Sequence, residues 1–141
     1  MVKEKIIKSE IFVSQNKIWD QLKKITVSNR VGGAYLFFGP SGCGKEYIAT
    51  QFAQMLNCED ISGEICRDCS SCKRAKNLQH ENINLVFPLP AIKKGSNNKD
   101  NEIENSNLDI VTDSIKKKSR NPFHKIQIPK ANRILIQSIR Q

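Results

Sequence analysis

The sequence predicts an α/β fold, and three adjoining features in the first half of the chain support this. A short apolar run, AYLFF at residues 34–38, is typical of a buried strand. The glycine-rich stretch GPSGCGKE follows at residues 39–46. Apolar residues then recur every four positions at Ile48, Phe52 and Leu56, which is the spacing of one helix face. A strand, a loop and a helix in this order form the unit from which parallel α/β sheets are built.

Two more elements are predicted on either side of this unit. The stretch SQNKIWDQLKKI predicts a helix with Ser14 as its N-cap and with Ile18, Leu22 and Ile25 on one face. The run INLVF at residues 83–87 predicts a second strand, because prolines follow it directly and end it.

The second half of the chain is more polar. Residues 91–105 are rich in Asn, Lys and acidic side chains and poor in apolar ones, so we expect a flexible loop there. A helix is predicted from Leu108 into the KKKSR stretch, and NPF at residues 121–123 predicts a turn. The last residues have the apolar pattern of an element that is only beginning, so we expect the sequence to be the N-terminal part of a longer protein.

Composition limits the classes of protein that need to be considered. The 141 residues suit one domain, and the net charge of +9 favours either anionic partners or simply a solvated lysine-rich surface. No run approaches the roughly 20 apolar residues of a membrane span, and the N-terminus lacks the apolar stretch of a signal peptide. We therefore expect a cytoplasmic protein, in which five cysteines favour metal ligation or free thiols over disulfides.

The glycine-rich stretch matches a phosphate-binding loop at all but its last position. Such a loop reads G-x-x-x-x-G-K-[ST], and here Gly39, Gly44 and Lys45 occupy the required places. Glycines allow backbone N–H groups to converge on phosphate oxygens, and the lysine adds a positive charge. The predicted nucleotide-binding residues are Gly39, Pro40, Ser41, Gly42, Cys43, Gly44, Lys45 and Glu46.

The final position of the loop argues against ATPase chemistry. A Ser or Thr hydroxyl ligates Mg²⁺ there, whereas this chain has the longer, anionic Glu46. Two unit charges ~4 Å apart repel by roughly 4 kcal/mol at an effective dielectric near 20, although direct Mg²⁺ ligation by the carboxylate would offset part of this. We predict weak or absent Mg-ATP binding and assign no catalytic residue. Cys43 is interpreted as a small loop residue.

Four cysteines follow the predicted helix with the spacing C-x7-C-x2-C-x2-C. Two overlapping C-x2-C turns bring three thiolates together, and a fourth from the helix end closes a tetrahedron, which suits structural Zn²⁺. The predicted ligands are Cys58, Cys66, Cys69 and Cys72. An iron–sulfur cluster and free thiols are the alternatives. His80 is a spare ligand at most, and a surface or capping role suits it better.

A phosphate loop followed one helix later by a four-cysteine knuckle resembles the bacterial DNA polymerase III clamp-loader subunits of the AAA+ class. The similar stretches are RVGGAYLFFGPSGCGK, LNCEDISGEICRDCSSC, HENINLVFPLP and the C-terminal NPF…IPKANRILIQSIRQ. The resemblance implies a three-layer α/β/α P-loop domain, of which residues 1–141 are the N-terminal part. Residues 58–72 are then an inserted zinc module, and Gln15 lies in a region near the adenine pocket of that family.

Within this family, the degraded loop is similar to that of the delta-prime subunit, the rigid stator. Gamma/tau motor subunits have an intact loop that ends in Lys-Thr or Lys-Ser. The resemblance thus implies a non-hydrolysing subunit that helps to load the sliding clamp onto primed DNA beside gamma/tau and delta. An active gamma/tau-type motor or other P-loop ATPase is the first alternative. A zinc-dependent nucleic-acid-binding module, suggested by the basic residues around the cysteines, is the second.

Overall fold

A computed structural model describes residues 15–89, 99–131 and 133–134. These residues form four helices and no strand: α1 (Asn16–Val27), α2 (Lys45–Leu56), α3 (Ser70–Lys76) and α4 (Lys99–Arg120). The chain divides into two compact units, residues 1–76 and 77–141, which we describe separately. The expected cap Ser14, much of the expected polar loop and the last seven residues lie outside the described residues.

Helix α1 is present as predicted, but it buries a different face. Trp19 and Leu22 are buried and Ile25 is half-buried, whereas Ile18 is 44% exposed. Tryptophan buries one of the largest apolar areas of any side chain, so burying Trp19 stabilises the fold more than burying Ile18 would. The helix ends at Val27, and Asn29 then adopts a positive φ of 52° and donates its N–H to the Thr26 carbonyl.

Helix α2 packs against α1 and forms the core of the first unit. Its apolar face consists of Tyr47, Ile48, Phe52 and Met55, while Leu56, which the periodicity placed on this face, is partly exposed. The core cluster joins residues of both helices: Trp19, Leu22, Ile48, Phe52 and Met55. The core thus lies along the middle of α2 and leaves its two ends to carry the glycine loop and the cysteines.

Residues 34–38 differ from the predicted buried strand. Tyr35 makes an edge-to-face contact with Phe52, with ring centroids 5.0 Å apart, and Phe37 packs on the core. The alternate side chains Leu36 and Phe38 are 85% and 86% exposed. Successive side chains of an extended segment point to opposite faces, so only one face contacts α2. No strand pairs with this segment among the described residues.

The second unit also departs from the predicted pattern. Residues 83–87 form no strand, and α4 begins at Lys99 rather than near Leu108, so residues 99–105 are helical where we expected loop. The turn predicted at NPF is present, with the His124 N–H donated to the Asn121 carbonyl at 2.9 Å. Its closing interaction is unexpected: the buried amine of Lys118 donates to the carbonyl oxygens of Pro122 and His124.

Within the described part of the chain, no helix combines the length and the apolar character that crossing a membrane requires.

Candidate phosphate loop and metal centre

The glycine loop leads directly into α2. Gly44 is the N-cap of the helix, with a φ of 79°, and Gly42 has a φ of 84°. A side chain is strained in this left-handed region, which explains glycine at both positions. The first N–H groups of α2 have no partner within the helix and therefore face the loop. The glycines of the loop thus stand where the backbone adopts a positive φ.

The side chains of the loop place one cation and one anion at the start of α2. Lys45 donates from Nζ to the Pro40 carbonyl at 3.0 Å, so the amine closes the loop on itself. Glu46 is exposed in the first helical turn, where a carboxylate interacts favourably with the helix dipole. Ser41 is exposed and Cys43 is half-buried. A neutral hydroxyl at position 46 is absent by sequence, so this loop lacks the usual side-chain ligand for Mg²⁺.

An apolar cavity of about 600 Å³ lies beside the loop. Residues of α1, the extended segment and the loop line it, including Gln15, Ile18, Phe38, Cys43 and Lys45. Gln15 therefore shares this cavity with the loop lysine. The sequence contains no signal for the cavity, because its walls come from three segments that only the fold brings together.

The four cysteines converge after the C-terminal end of α2. Their Sγ atoms all lie within 4.8 Å of one another. The Cys66–Cys72 pair is separated by 3.8 Å and the Cys58–Cys72 pair by 3.5 Å. Sulfurs around a tetrahedral Zn²⁺ with bonds of about 2.3 Å are about 3.8 Å apart. The donor set and its spacing therefore fit a structural zinc ion, with all four predicted ligands brought together.

The two C-x2-C turns hold their sulfurs through backbone N–H groups. The N–H of Cys69 donates to the Cys66 sulfur at 3.4 Å, and the N–H of Cys72 donates to the Cys69 sulfur at 3.3 Å. The first of these bonds is the main reason that the pKa of Cys66 falls to about 7, since it favours the thiolate. Burial raises the pKa of Cys72 to about 12. Cys66 is half-buried, whereas Cys72 is almost fully enclosed.

Glu59 fixes the start of α3, the short helix that carries Cys72. Its carboxylate accepts a hydrogen bond from the Ser70 hydroxyl at 2.7 Å and one from the Ser71 N–H at 3.3 Å. These bonds hold the pKa of Glu59 below its usual value, because they favour the charged form. The interaction supplies the N-terminal cap that this seven-residue helix needs.

Helix α2 is tied to the cysteine knuckle, residues 58–72, by buried polar contacts that sequence reasoning missed. Gln54, only 6% exposed, donates from Nε2 to the carbonyl of Cys72 at 3.1 Å. Gln51 donates from Nε2 to Oε1 of Gln54 at 3.2 Å. The Ser71 hydroxyl donates to the Asn57 carbonyl. A glutamine on an amphipathic helix is normally assigned to the solvent face, so no local signal marks Gln54.

The remaining candidates lie outside the cluster. His80 belongs to the second unit, where its Nδ1 accepts the Asn82 N–H at 3.1 Å, which is the geometry of a turn cap. Exposed basic residues surround the cysteines: Arg67, Lys73, Arg74 and Lys76. Lys73 pairs with Asp68 at 3.0 Å.

A glycine-rich loop thus lies at one end of α2, and a cluster of four thiols lies after the other end. Residues 14–137 match the family model described as DNA polymerase III, delta subunit. Since this match covers most of the 141 residues, the chain belongs to that family, whose members are DNA polymerase III clamp-loader subunits. The resemblance predicted from the loop and the knuckle is confirmed at this level. No solved structure matches the chain.

Curated relatives match about half of the chain. DNA polymerase III subunit tau of Bacillus subtilis is 38% identical over 69 residues, 48% of this chain and 12% of the relative. DNA polymerase III subunit delta' of the same organism is 32% identical over 74 residues, covering 52% and 22%. Protein STICHEL-like 4 of Arabidopsis thaliana is 39% identical over 78 residues, covering 55% and 8%. The chain thus spans less than a quarter of the length of these relatives.

Proposed function

We propose that this chain is a delta-prime-type clamp-loader subunit that supports clamp loading without hydrolysing ATP. The observation that carries the proposal is Glu46, which stands exposed in the first turn of α2 directly after the loop lysine. At this place a motor subunit needs a neutral hydroxyl for Mg²⁺. Glycine conformations and Lys45 retain the loop as architecture, while the carboxylate opposes the phosphates that an active loop would bind.

The proposal extends to the rest of the assembly. The chain belongs, in this proposal, to a three-layer α/β/α AAA+ domain in which residues 58–72 form an insert. The partners are the gamma/tau and delta subunits, and the sliding clamp and primed DNA are engaged through the complex. The protein works in the cytoplasm, as replication requires in bacteria.

The proposed cofactor is one Zn²⁺ held by Cys58, Cys66, Cys69 and Cys72. The convergence of four sulfurs within 4.8 Å supports this. Zinc with four thiolates has no open position, so it supplies folding energy to an insert that is too small for its own core, and no catalysis. Native mass spectrometry tests it directly: one zinc mass should be lost on acidification, and an unchanged mass would contradict the assignment.

Calorimetric titration of the full-length protein with Mg-ATP tests the proposed role of Glu46. We expect no micromolar binding to the wild type. The change Glu46→Thr restores the hydroxyl and removes the negative charge, so it should raise the Mg-ATP affinity by at least about tenfold, which corresponds to about a third of the ~4 kcal/mol charge repulsion. The double change Lys45→Ala, Glu46→Thr should abolish that gain. Micromolar binding to the wild type would contradict the proposal.

An active gamma/tau-type motor is the second candidate, because tau of Bacillus subtilis has a higher identity (38%) than delta' of that organism (32%). In that case Glu46 would itself ligate Mg²⁺ through its carboxylate. Steady-state phosphate release by the wild type, lost in Lys45→Ala, would favour the motor. We expect neither the activity nor an effect of the substitution.

A further inference from the structure

Two glutamines of α2 form an amide chain that ends on the buried backbone of Cys72. Gln51 donates to Gln54 at 3.2 Å, and Gln54 donates to the Cys72 carbonyl at 3.1 Å. Both acceptors are enclosed: Gln54 is 6% exposed and Cys72 is 1% exposed. The bond from Gln54 to Cys72 joins residues 18 positions apart, so the amide chain links the helix to the knuckle rather than to itself.

The chemistry of the acceptor fixes the orientation of both amides. A backbone carbonyl only accepts, so the NH₂ group of Gln54 must face Cys72. Its side-chain oxygen is thereby turned towards Gln51, which can only meet it with its own NH₂ group. The two hydrogen bonds therefore hold each other in place, and a mistake in either orientation would leave a buried polar atom without a partner.

We propose that Gln54 is a positioning residue of the metal centre, with Gln51 as the group that orients it. The inference rests on the proposed zinc site and goes beyond it, since neither glutamine is a ligand. Gln54 holds the peptide of Cys72, the most enclosed of the four cysteines, and so sets where its sulfur lies relative to the other three. Outer-shell hydrogen bonds of this kind orient ligands and tune the affinity for the metal.

The position of Cys72 among the four cysteines explains why the hydrogen bond from Gln54 matters for the proposed metal site. Its sulfur lies 3.5 Å from that of Cys58, which follows α2, and 3.8 Å from that of Cys66, which begins the C-x2-C turns. Shifting the Cys72 backbone would alter both edges of the tetrahedron at once. Removing the amide donor would also take away the side-chain hydrogen bond that this buried backbone carbonyl accepts.

The test compares metal affinity among matched glutamine variants of the full-length protein. Gln54→Met keeps the length and volume of the side chain and removes the donor. Zn²⁺ affinity is measured by competition with a chromophoric chelator, and Co²⁺ absorption reports the tetrahedral thiolate geometry. We expect Gln54→Met to weaken Zn²⁺ binding by about 10- to 100-fold and to shift the Co²⁺ spectrum. Gln51→Met should weaken it by about two- to fivefold. Gln21→Met, at an exposed position of α1, is the control and should change neither.

A purely structural role for Gln54 has a different signature. If Gln54 only stabilised the fold, Gln54→Met would lower the unfolding free energy equally with and without metal, and the Zn²⁺ affinity would stay within twofold of wild type. That result would overturn the inference while leaving the zinc site intact. If Gln54→Met does not fold, an unchanged affinity and Co²⁺ spectrum in Gln51→Met would overturn it instead. A wild type that binds neither metal would remove the zinc site and the inference together.

Discussion

The two ends of helix α2 differ in how firmly the rest of the protein holds them. At the N-terminal end, Gly39, Ser41 and Gly42 are exposed, and Lys45 donates to the Pro40 carbonyl within the loop itself. At the C-terminal end, Gln54, Ser71 and Cys72 are buried and bonded across the chain. The better-known motif thus lies at the less constrained end.

This contrast shows that a conspicuous motif and a well-packed region need not coincide. The glycine loop owes its shape to backbone conformations at Gly42 and Gly44, which need no side-chain support. The knuckle owes its shape to side chains and, in our proposal, to a metal. The same kind of substitution should therefore lower the unfolding free energy much more in the knuckle than in the loop.

The largest effect is expected from matched cysteine substitutions at the two ends. Cys72→Ala should abolish metal binding and lower the unfolding free energy by at least about 4 kcal/mol, when free zinc exceeds its Kd about 1000-fold. Cys43→Ala, in the glycine loop, should change the unfolding free energy by no more than about 1 kcal/mol. Urea denaturation followed by the fluorescence of Trp19 measures both.

Chelation provides the control for this pair. Without metal, the wild type and Cys72→Ala should unfold at nearly the same urea concentration, because the lost stabilisation came from the ion. A large difference that persists in chelator would mean that Cys72 contributes through packing, and the contrast between the two ends would not depend on metal.

A smaller loss is expected in the middle of the helix. Phe52 is buried in the core between the two ends, so Phe52→Ala should cost about 3–4 kcal/mol through lost contacts and the cavity that it leaves. Phe38→Ala replaces a side chain that is 86% exposed, so it should change the unfolding free energy by no more than about 0.5 kcal/mol. A loss above 1 kcal/mol for Phe38→Ala would show that this side chain is covered in solution.

Glycine substitutions sharpen the comparison further. Gly63 in the knuckle has a φ of 78°, and an added Cβ would lie 2.5 Å from Cγ2 of Val27. Gly63→Ala should therefore cost about 2–3 kcal/mol, from left-handed strain and the contact. Gly42→Ala in the loop meets no atom within 4 Å and should cost only the strain, about 1–2 kcal/mol. Gly33→Ala, with neither problem, is the control, and equal costs at all three sites would contradict the geometry.

The smallest effect is expected at the loop carboxylate. Glu46 lies in the first turn of α2, where its charge favours the helix N-terminus. Glu46→Gln should lower the unfolding free energy by about 0.3–1 kcal/mol at low ionic strength, and added salt should reduce the difference. Urea denaturation at two salt concentrations checks this. A gain in stability would mean that the loop end is strained by the carboxylate.

Features that depend on local spacing could be predicted from the sequence, whereas features that depend on distant partners could not. The positive φ of Gly42 and Gly44 could be expected from the glycine spacing, and the convergence of the four cysteines from C-x2-C turns that bring thiols together locally. The face of α1 was assigned to Ile18 because periodicity alone does not weigh the larger area of Trp19. Gln54 and Lys118 were missed since each is buried by partners distant along the chain or in a turn, and amphipathic patterns place such polar side chains in solvent.

Helix α2 also fixes the distance between the glycine loop and the knuckle. Its 12 residues rise about 18 Å from the loop to the knuckle, with no proline to bend them. A paramagnetic cobalt ion in the knuckle would therefore sit at a nearly constant separation from any phosphate in the loop. The relaxation rate of the phosphorus nucleus in such a phosphate would then report whether the loop is occupied. The loop itself would need no label, because the cobalt ion lies at the other end of the helix.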